Sequence, residues 1–101
     1  MRARGKIDGN QTAVVQALRA AGMTVWITSA MGNGAPDLVC GWRGITVLIE
    51  LKDGDKVPSA QALTAAEQTF SETWAGQWCV ANSPESAVLA VIEHWRKWGG
   101  E

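Results

Sequence analysis

The sequence is poor in the features that build disulfide, zinc and membrane proteins. Its two cysteines, Cys40 and Cys79, are too few for a disulfide framework and lack the paired spacing of a zinc site. No stretch approaches the roughly 18 to 20 unbroken apolar residues of a membrane span, and residues 1–10 lack the apolar segment of a signal peptide. These absences argue against a secreted scaffold, a structural metal site and a membrane protein. They predict a cytoplasmic protein.

The chain also lacks an excess of charge of either sign. Nine Lys and Arg against ten Asp and Glu give a net charge of -1 at pH 7. Because a domain that binds nucleic acid usually carries a basic face, any site for a polyanion must be local. Positive charge is concentrated at Arg2, Arg4 and Lys6, on a flexible arm predicted over residues 1–9. These side chains either follow a phosphate backbone or are the solvated charges of a frayed terminus.

The rest of the composition is typical of one globular domain, which we expect to span residues 10–98. With 101 residues, 47% of them hydrophobic and three prolines, the chain can bury a core and does not resemble a disordered segment. Three tryptophans, Trp74, Trp78 and Trp95, fall on segments that should pack together, so we expect them in the core. Trp42 is placed at a predicted hairpin tip instead.

Hydrophobic periodicity and turn residues predict the element order α, β, β, β, α, β, α. Helices are expected over residues 10–22, 64–74 and 83–98, and strands over residues 23–27, 37–40, 45–51 and 77–81. Residues 41–44 are predicted to form a four-residue turn that pairs Cys40 with Ile45. The result is a meander of three strands, with a fourth strand joined through a helix.

Three ionisable side chains stand at strand positions that a half-buried hairpin ordinarily fills with apolar residues. They are Asp37, Glu50 and Lys52. Glu50 and Lys52 are two residues apart on one strand, so they project from the same face. The predicted register sets Leu48 opposite Asp37, which puts Asp37 diagonal to Glu50 on that face, whereas a shift of one residue would send it to the opposite face.

Two carboxylates from neighbouring strands, with the Leu51 carbonyl, would form an all-oxygen site that suits Mg²⁺ or Mn²⁺ better than zinc. Such a cation polarises a phosphate and activates a water, while Lys52 would orient that water or neutralise the developing charge. The residues therefore indicate metal-assisted phosphodiester hydrolysis. The alternative is a cross-strand salt bridge between Asp37 and Lys52 or an exposed acidic face, and spacing does not decide between these interpretations.

The segment Gly34-Ala35-Pro36-Asp37-Leu38, followed by Glu50-Leu51-Lys52, resembles the PD-(D/E)xK nuclease signature. Its surroundings resemble the small stand-alone VRR-NUC domains common in phages, and archaeal Holliday-junction resolvases share that core. The resemblance extends from the first helix to the strand around Val80. It implies an α/β fold, with a restriction-endonuclease-like αβββαβ core, a mixed sheet and a C-terminal helix, in a bacterial or phage-infected cytoplasm.

The resemblance also implies residue roles. Asp37 and Glu50 would bind metal, and Lys52 would be the catalytic lysine. Glu67 matches a position where relatives carry Gln or Glu facing the site, so it is a further catalytic candidate. Its alternative role is the capping box, in which its side chain reaches back to the Thr64 amide.

One position departs from the resolvase-like pattern. Where such relatives place an additional glutamate ligand on the first helix, counting back from Gly22 gives Gln11. An amide oxygen can coordinate a cation but adds no negative charge, so metal affinity should be lower than with three carboxylates.

The leading hypothesis is a Mg²⁺-dependent DNA endonuclease that acts on branched DNA such as Holliday junctions. Because one site cuts one strand, we expect a homodimer. Gly34, where the backbone could approach DNA, and Arg43 join the N-terminal arm as nucleic-acid-binding candidates. The alternative hypothesis is a noncatalytic nucleic-acid-binding or partner-binding module that retains the nuclease fold.

Overall fold

A computed structural model describes residues 9–100, which form three α-helices and a four-stranded sheet. The helices are α1 (Gly9–Ala20), α2 (Ala65–Thr73) and α3 (Pro84–His94), and the strands are β1 (Thr24–Ile27), β2 (Leu38–Trp42), β3 (Ile45–Leu51) and β4 (Gln77–Ala81). Short 3₁₀ turns cover Ser29–Met31 and Pro58–Gln61, and a π-helical turn, Trp95–Gly99, follows α3. The predicted element order is confirmed. Arg2, Arg4 and Lys6 lie outside the described residues.

The strands are arranged in chain order across the sheet. β1, β2 and β3 pair antiparallel, whereas β4 pairs parallel to β3 after the crossover through α2. The sheet is therefore mixed, as predicted. Within residues 9–100 no helix is long and apolar enough to cross a membrane.

One face of the sheet packs against α1 and α3 and forms the core. The buried members are Val14, Val15, Leu18, Met23, Leu38, Cys40, Val47, Ile49, Leu51, Ala81, Ala87 and Val91. Successive strand residues point to opposite faces, so the core residues of β3 alternate with Leu48 and Glu50. The second face therefore carries Glu50, together with Asp37 just before β2 and Val39 within it.

The turn of the β2–β3 hairpin is shorter than predicted. β2 continues through Gly41 and Trp42, so only Arg43 and Gly44 lie between the strands. Their φ angles are 50° and 88°, and a two-residue type I′ turn requires positive values at both positions. The predicted four-residue turn is therefore wrong.

The shorter turn displaces the strand register by two residues. Cys40 lies opposite Val47, not opposite Ile45 as predicted. Since side chains alternate with a period of two, an even displacement leaves every side chain on its predicted face. Continued by one residue beyond β2, the observed register sets Asp37 beside Glu50 rather than diagonal to it.

The three tryptophans predicted to lie in the core are only partly buried. Trp74 ends α2, is 45% exposed and stacks on Phe70 with ring centroids 5.7 Å apart. Trp95 lies beyond α3 and meets Trp42 edge to face at 5.5 Å. Trp78 is half-buried on β4. The core prediction is therefore wrong for Trp74, whereas Trp78 and Trp95 lie at the margin of the core.

Candidate active site

Asp37 is fixed at the start of β2 by its backbone and by its side chain. Its N–H donates to the Ile49 carbonyl at 3.1 Å, and its carbonyl accepts from the Thr28 N–H at 2.8 Å. The Thr28 hydroxyl also donates to the Pro36 carbonyl at 2.8 Å, and this bond is buried. Asp37 Oδ2 accepts the Leu51 N–H at 2.8 Å, so the carboxylate continues the hydrogen bonding to β3 just before the start of β2.

Glu50 is a buried carboxyl group on β3, with 4% of its surface exposed. Burial, followed by the negative charges of Asp37 and Glu67, raises the pKa of Glu50 to about 9. Burial also raises the pKa of Asp37, although the hydrogen bond from Leu51 opposes that shift. Without a bound cation, burial and the neighbouring carboxylates therefore favour the protonated form of Glu50.

Lys52 directly follows β3 and lies between two acidic side chains. Its Nζ is 2.8 Å from Glu67 Oε1 and 3.9 Å from Glu50 Oε2. Within residues 9–100 its ion pairs go to these two groups, so the predicted alternative of an Asp37–Lys52 salt bridge is wrong. The alternative of an exposed acidic face is also wrong, because Glu50 is buried.

Glu67 forms the predicted capping box and also contacts Lys52, while its catalytic role stays a prediction. Thr64 and Glu67 form a complete capping box at the start of α2, with the Thr64 N–H donating to Glu67 Oε1 at 3.0 Å. The same oxygen accepts the hydrogen bond from Lys52. Burial opposes ionisation of Glu67, but the hydrogen bonds from Lys52 and Thr64 outweigh it and hold the pKa of Glu67 below its usual value.

The first turn of α1 lies beside the end of β3. Asn10 Nδ2 donates to the Lys52 carbonyl at 3.0 Å, and Gln11, the next residue, is buried with 3% exposure. The sequence identified Gln11 and missed Asn10. An asparagine at the beginning of a helix is ordinarily interpreted as a cap, so its contact with β3 has no signature in the sequence.

Gly34 has a packing role in the loop before Asp37. Its φ is 79°, and a Cβ added there would lie 2.5 Å from the Ala66 carbonyl oxygen. Glycine therefore lets this loop pass close to the first turn of α2. A contact of Gly34 with DNA stays a prediction.

Arg43 lies far from the acidic groups. Its guanidinium carbon is 4.4 Å from the ring centroid of Trp42 and 4.8 Å from that of Trp95. The five residue-to-residue steps along β3 from Ile45 to Glu50 span about 17 Å at ~3.3 Å per step. The structure thus brings Asp37, Glu50, Lys52 and Glu67 together and leaves Arg43 at the other end of the hairpin.

The residues of this site fit a hard divalent cation with few protein ligands. Residues 9–100 contain no group of three or more His, Cys, Asp or Glu side chains that could hold a metal ion. Mg²⁺, however, usually keeps several waters and binds through one or two carboxylates together with substrate phosphates. Asp37 and Glu50, which repel each other when both are charged, match that requirement.

The sequence matches no protein-family model and no curated protein. The chain is similar to a solved structure described as a VRR_NUC domain, with 28% sequence identity and a TM-score of 0.52. The match covers 84% of this chain and 91% of that one. VRR_NUC is a PD-(D/E)xK-like nuclease domain. The predicted resemblance and the predicted fold class are therefore confirmed.

Proposed function

We propose that this protein is a divalent-metal-dependent DNA endonuclease that hydrolyses phosphodiester bonds. The observation that carries the proposal is the meeting of the Asp37 and Glu50 carboxyl groups with the Lys52 ammonium group at one end of the β2–β3 hairpin. The similarity to a VRR_NUC domain supports the same class of activity.

Asp37 and Glu50, with the Leu51 carbonyl, would hold Mg²⁺ or Mn²⁺. When bound, the cation supplies Lewis acidity toward the scissile phosphate and lowers the pKa of a coordinated water. For the protein, binding requires that Glu50 release its proton, since a carboxylate and not a carboxylic acid is the ligand. The Leu51 N–H, by donating to Asp37, orients that carboxylate for the same task.

Lys52 would act on the phosphate or on the attacking water. An ammonium group has three donors, so Lys52 can keep its bond to Glu67 and still direct another N–H toward a phosphate oxygen. Its charge would then stabilise the negative charge that develops as the water oxygen bonds to phosphorus and the ester oxygen departs. Glu67 would serve as a positioning residue for Lys52.

DNA would be held by positive groups outside the acidic cluster, which consists of Asp37, Glu50 and Glu67. The candidates are Arg2, Arg4 and Lys6 of the N-terminal arm, Arg43 at the hairpin tip, and the backbone at Gly34. Because the net charge is -1, these contacts would supply most of the attraction to phosphates. We further propose a homodimer that cuts branched DNA, since one site cuts one strand, and a cytoplasmic location.

Cleavage of plasmid DNA and of a synthetic four-way junction, in Mg²⁺ and in Mn²⁺, tests the activity. We expect Lys52→Ala to reduce the cleavage rate by about 100-fold or more, as the loss of a group that stabilises transition-state charge does. Lys97→Ala is the matched control, because Lys97 lies on the turn after α3. Wild-type protein that cuts no faster than Lys52→Ala in either metal would favour the noncatalytic binding module.

Light scattering of the free protein and of its junction complex tests the assembly. A homodimer has twice the mass of the 10.8 kDa chain. A monomer at micromolar concentration in both samples would contradict the proposed homodimer. It would not contradict the proposed hydrolysis of phosphodiester bonds.

A further inference from the structure

Trp26 is a highly exposed aromatic side chain on the edge strand β1. Its exposure of 67% is the largest among the exposed large apolar residues in the described part of the chain. Burying a tryptophan ring is strongly favourable, so a partner that covers the exposed ring gains binding free energy.

Trp26 lies on the same sheet face as the acidic cluster. It is opposite Val39, which is opposite Leu48, and both belong to the face that carries Asp37 and Glu50. With ~4.8 Å between strands and ~6.7 Å between alternate residues, the Trp26 backbone is about 8 Å from that of Asp37 and about 12 Å from that of Glu50. A stacked strand of nucleic acid covers that distance in about three nucleotides.

The indole of Trp26 has no ring or cation partner among residues 9–100. The other described ring contacts join Trp42 to Trp95 and Phe70 to Trp74. The carbonyl of the preceding residue, Val25, accepts a 3.2 Å hydrogen bond from Arg19 Nη2 of α1, so an exposed guanidinium lies at the same sheet edge. An aromatic ring and a positive charge at one edge can bind a base together with its phosphate.

We propose that Trp26 is the platform of a stacking subsite for an unpaired nucleotide, within about three nucleotides of the scissile phosphate. This inference rests on the proposed nuclease function and names its substrate class. Inside a duplex, neighbouring base pairs cover both faces of each base, so a side chain can stack only on a base that has left the helix. The preferred substrates are therefore single strands and the gaps or branch points of structured DNA.

Fluorescence anisotropy with labelled (dT)15 and with a blunt, loop-free duplex, both in EDTA so that no cleavage occurs, tests the subsite. We expect Trp26→Ala to weaken (dT)15 binding by about 5- to 100-fold, as removal of a stacking ring does, and Trp26→Phe to retain most of it. Binding of the loop-free duplex should change less than about twofold.

The matched control is Trp98→Ala, because Trp98 is 60% exposed and contacts Lys97 on the turn after α3. It should leave both affinities unchanged. Trp26→Gln is a polar replacement that removes the ring if Trp26→Ala fails to fold.

Equal affinity of wild type and Trp26→Ala for (dT)15 would overturn the inference, as would equal losses for (dT)15 and for the duplex. A wild-type dimer that Trp26→Ala converts to a monomer would also overturn it, since the ring would then belong to a self-interface. Because the measurement contains no metal, it separates the two proposals. A selective loss of (dT)15 binding, in a protein that cuts no DNA, would support the subsite and contradict the nuclease.

Discussion

The two ends of the β2–β3 hairpin differ in how their surroundings stabilise charge. At the turn, the Arg43 guanidinium lies over the rings of Trp42 and Trp95, so its charge is matched by aromatic faces. At the other end, burial raises the pKa of both Asp37 and Glu50, and the negative charge of Asp37 raises that of Glu50 further. One end stabilises the hairpin, whereas the other carries an electrostatic cost that the proposed metal site would explain.

The largest expected effect comes from neutralising the acidic end. Asp37→Asn and Glu50→Gln each preserve shape but remove one anionic ligand, so cleavage in Mg²⁺ should fall by orders of magnitude. Since burial disfavours the charged form of both carboxyl groups, both variants should melt at or above the wild-type temperature without metal. Activity assays and melting by circular dichroism measure the two effects.

Glu72→Gln is the matched control for these variants, because Glu72 is an exposed glutamate on α2 that accepts a hydrogen bond from Gln68 Nε2 and, within residues 9–100, contacts none of the site residues. It should change neither cleavage nor melting. If Asp37→Asn or Glu50→Gln unfolds readily instead, the carboxylates are structural groups.

The second expected effect is a dependence of stability on pH. The folded-state pKa of Glu50 is raised from 4.5 to about 9, so between these values the native state binds more protons than the unfolded state. The free energy of unfolding of the cation-free protein should therefore fall as pH rises through this interval. Urea titrations at several pH values measure this slope.

Glu50→Gln should flatten that slope because it removes the titrating group. Mg²⁺ should stabilise wild type most at the alkaline end, where Glu50 gives up its proton most easily, and should stabilise Glu50→Gln less. Parallel stability curves for the two proteins, without metal, would contradict the raised pKa.

The smallest expected effect is the loss of stability when the Arg43 side chain is removed from the β2–β3 turn. Arg43→Ala removes two exposed cation–π contacts of about 0.5 to 1 kcal/mol each, so the melting temperature should fall by several degrees while kcat is unchanged. If Arg43 also contacts a phosphate, the slope of log K against log salt should decrease by about 0.9. Arg96→Ala is the control, and equal melting of the two variants would contradict a stabilising role of the ring contacts.

The second face of the sheet was predictable because alternation along a strand depends only on sequence. Glu50 and Lys52 share a face whatever their partners are, and Asp37 joins them in any register displaced by an even number of residues. The turn length was not predictable in the same way. The glycines Gly41 and Gly44 suggest a turn over residues 41–44. Trp42 nevertheless stays in β2, where its ring packs on Trp95, more than fifty positions along the chain.

The remaining contacts of the site depend on how separate elements meet. Thr28 and Asn10 hold Asp37 and Lys52 through hydrogen bonds to backbone carbonyls, and no local pattern encodes such bonds. Trp26 was missed for a related reason, since its exposure follows from the position of β1 at the sheet edge. The register and strand order determine that position, not the residues around Trp26.

The single oxygen Glu67 Oε1 joins the beginning of α2 to the ammonium group of Lys52. Opening of the first turn of α2 would move that acceptor, and movement of Lys52 would leave the capping oxygen with one donor fewer. Opening of the first turn of α2 and movement of Lys52 are therefore coupled. By thermodynamic linkage, each event favours the other by the same free energy. A ligand that draws Lys52 away from Glu67 would loosen the beginning of α2, and a substitution that frays this helix would make Lys52 easier to recruit.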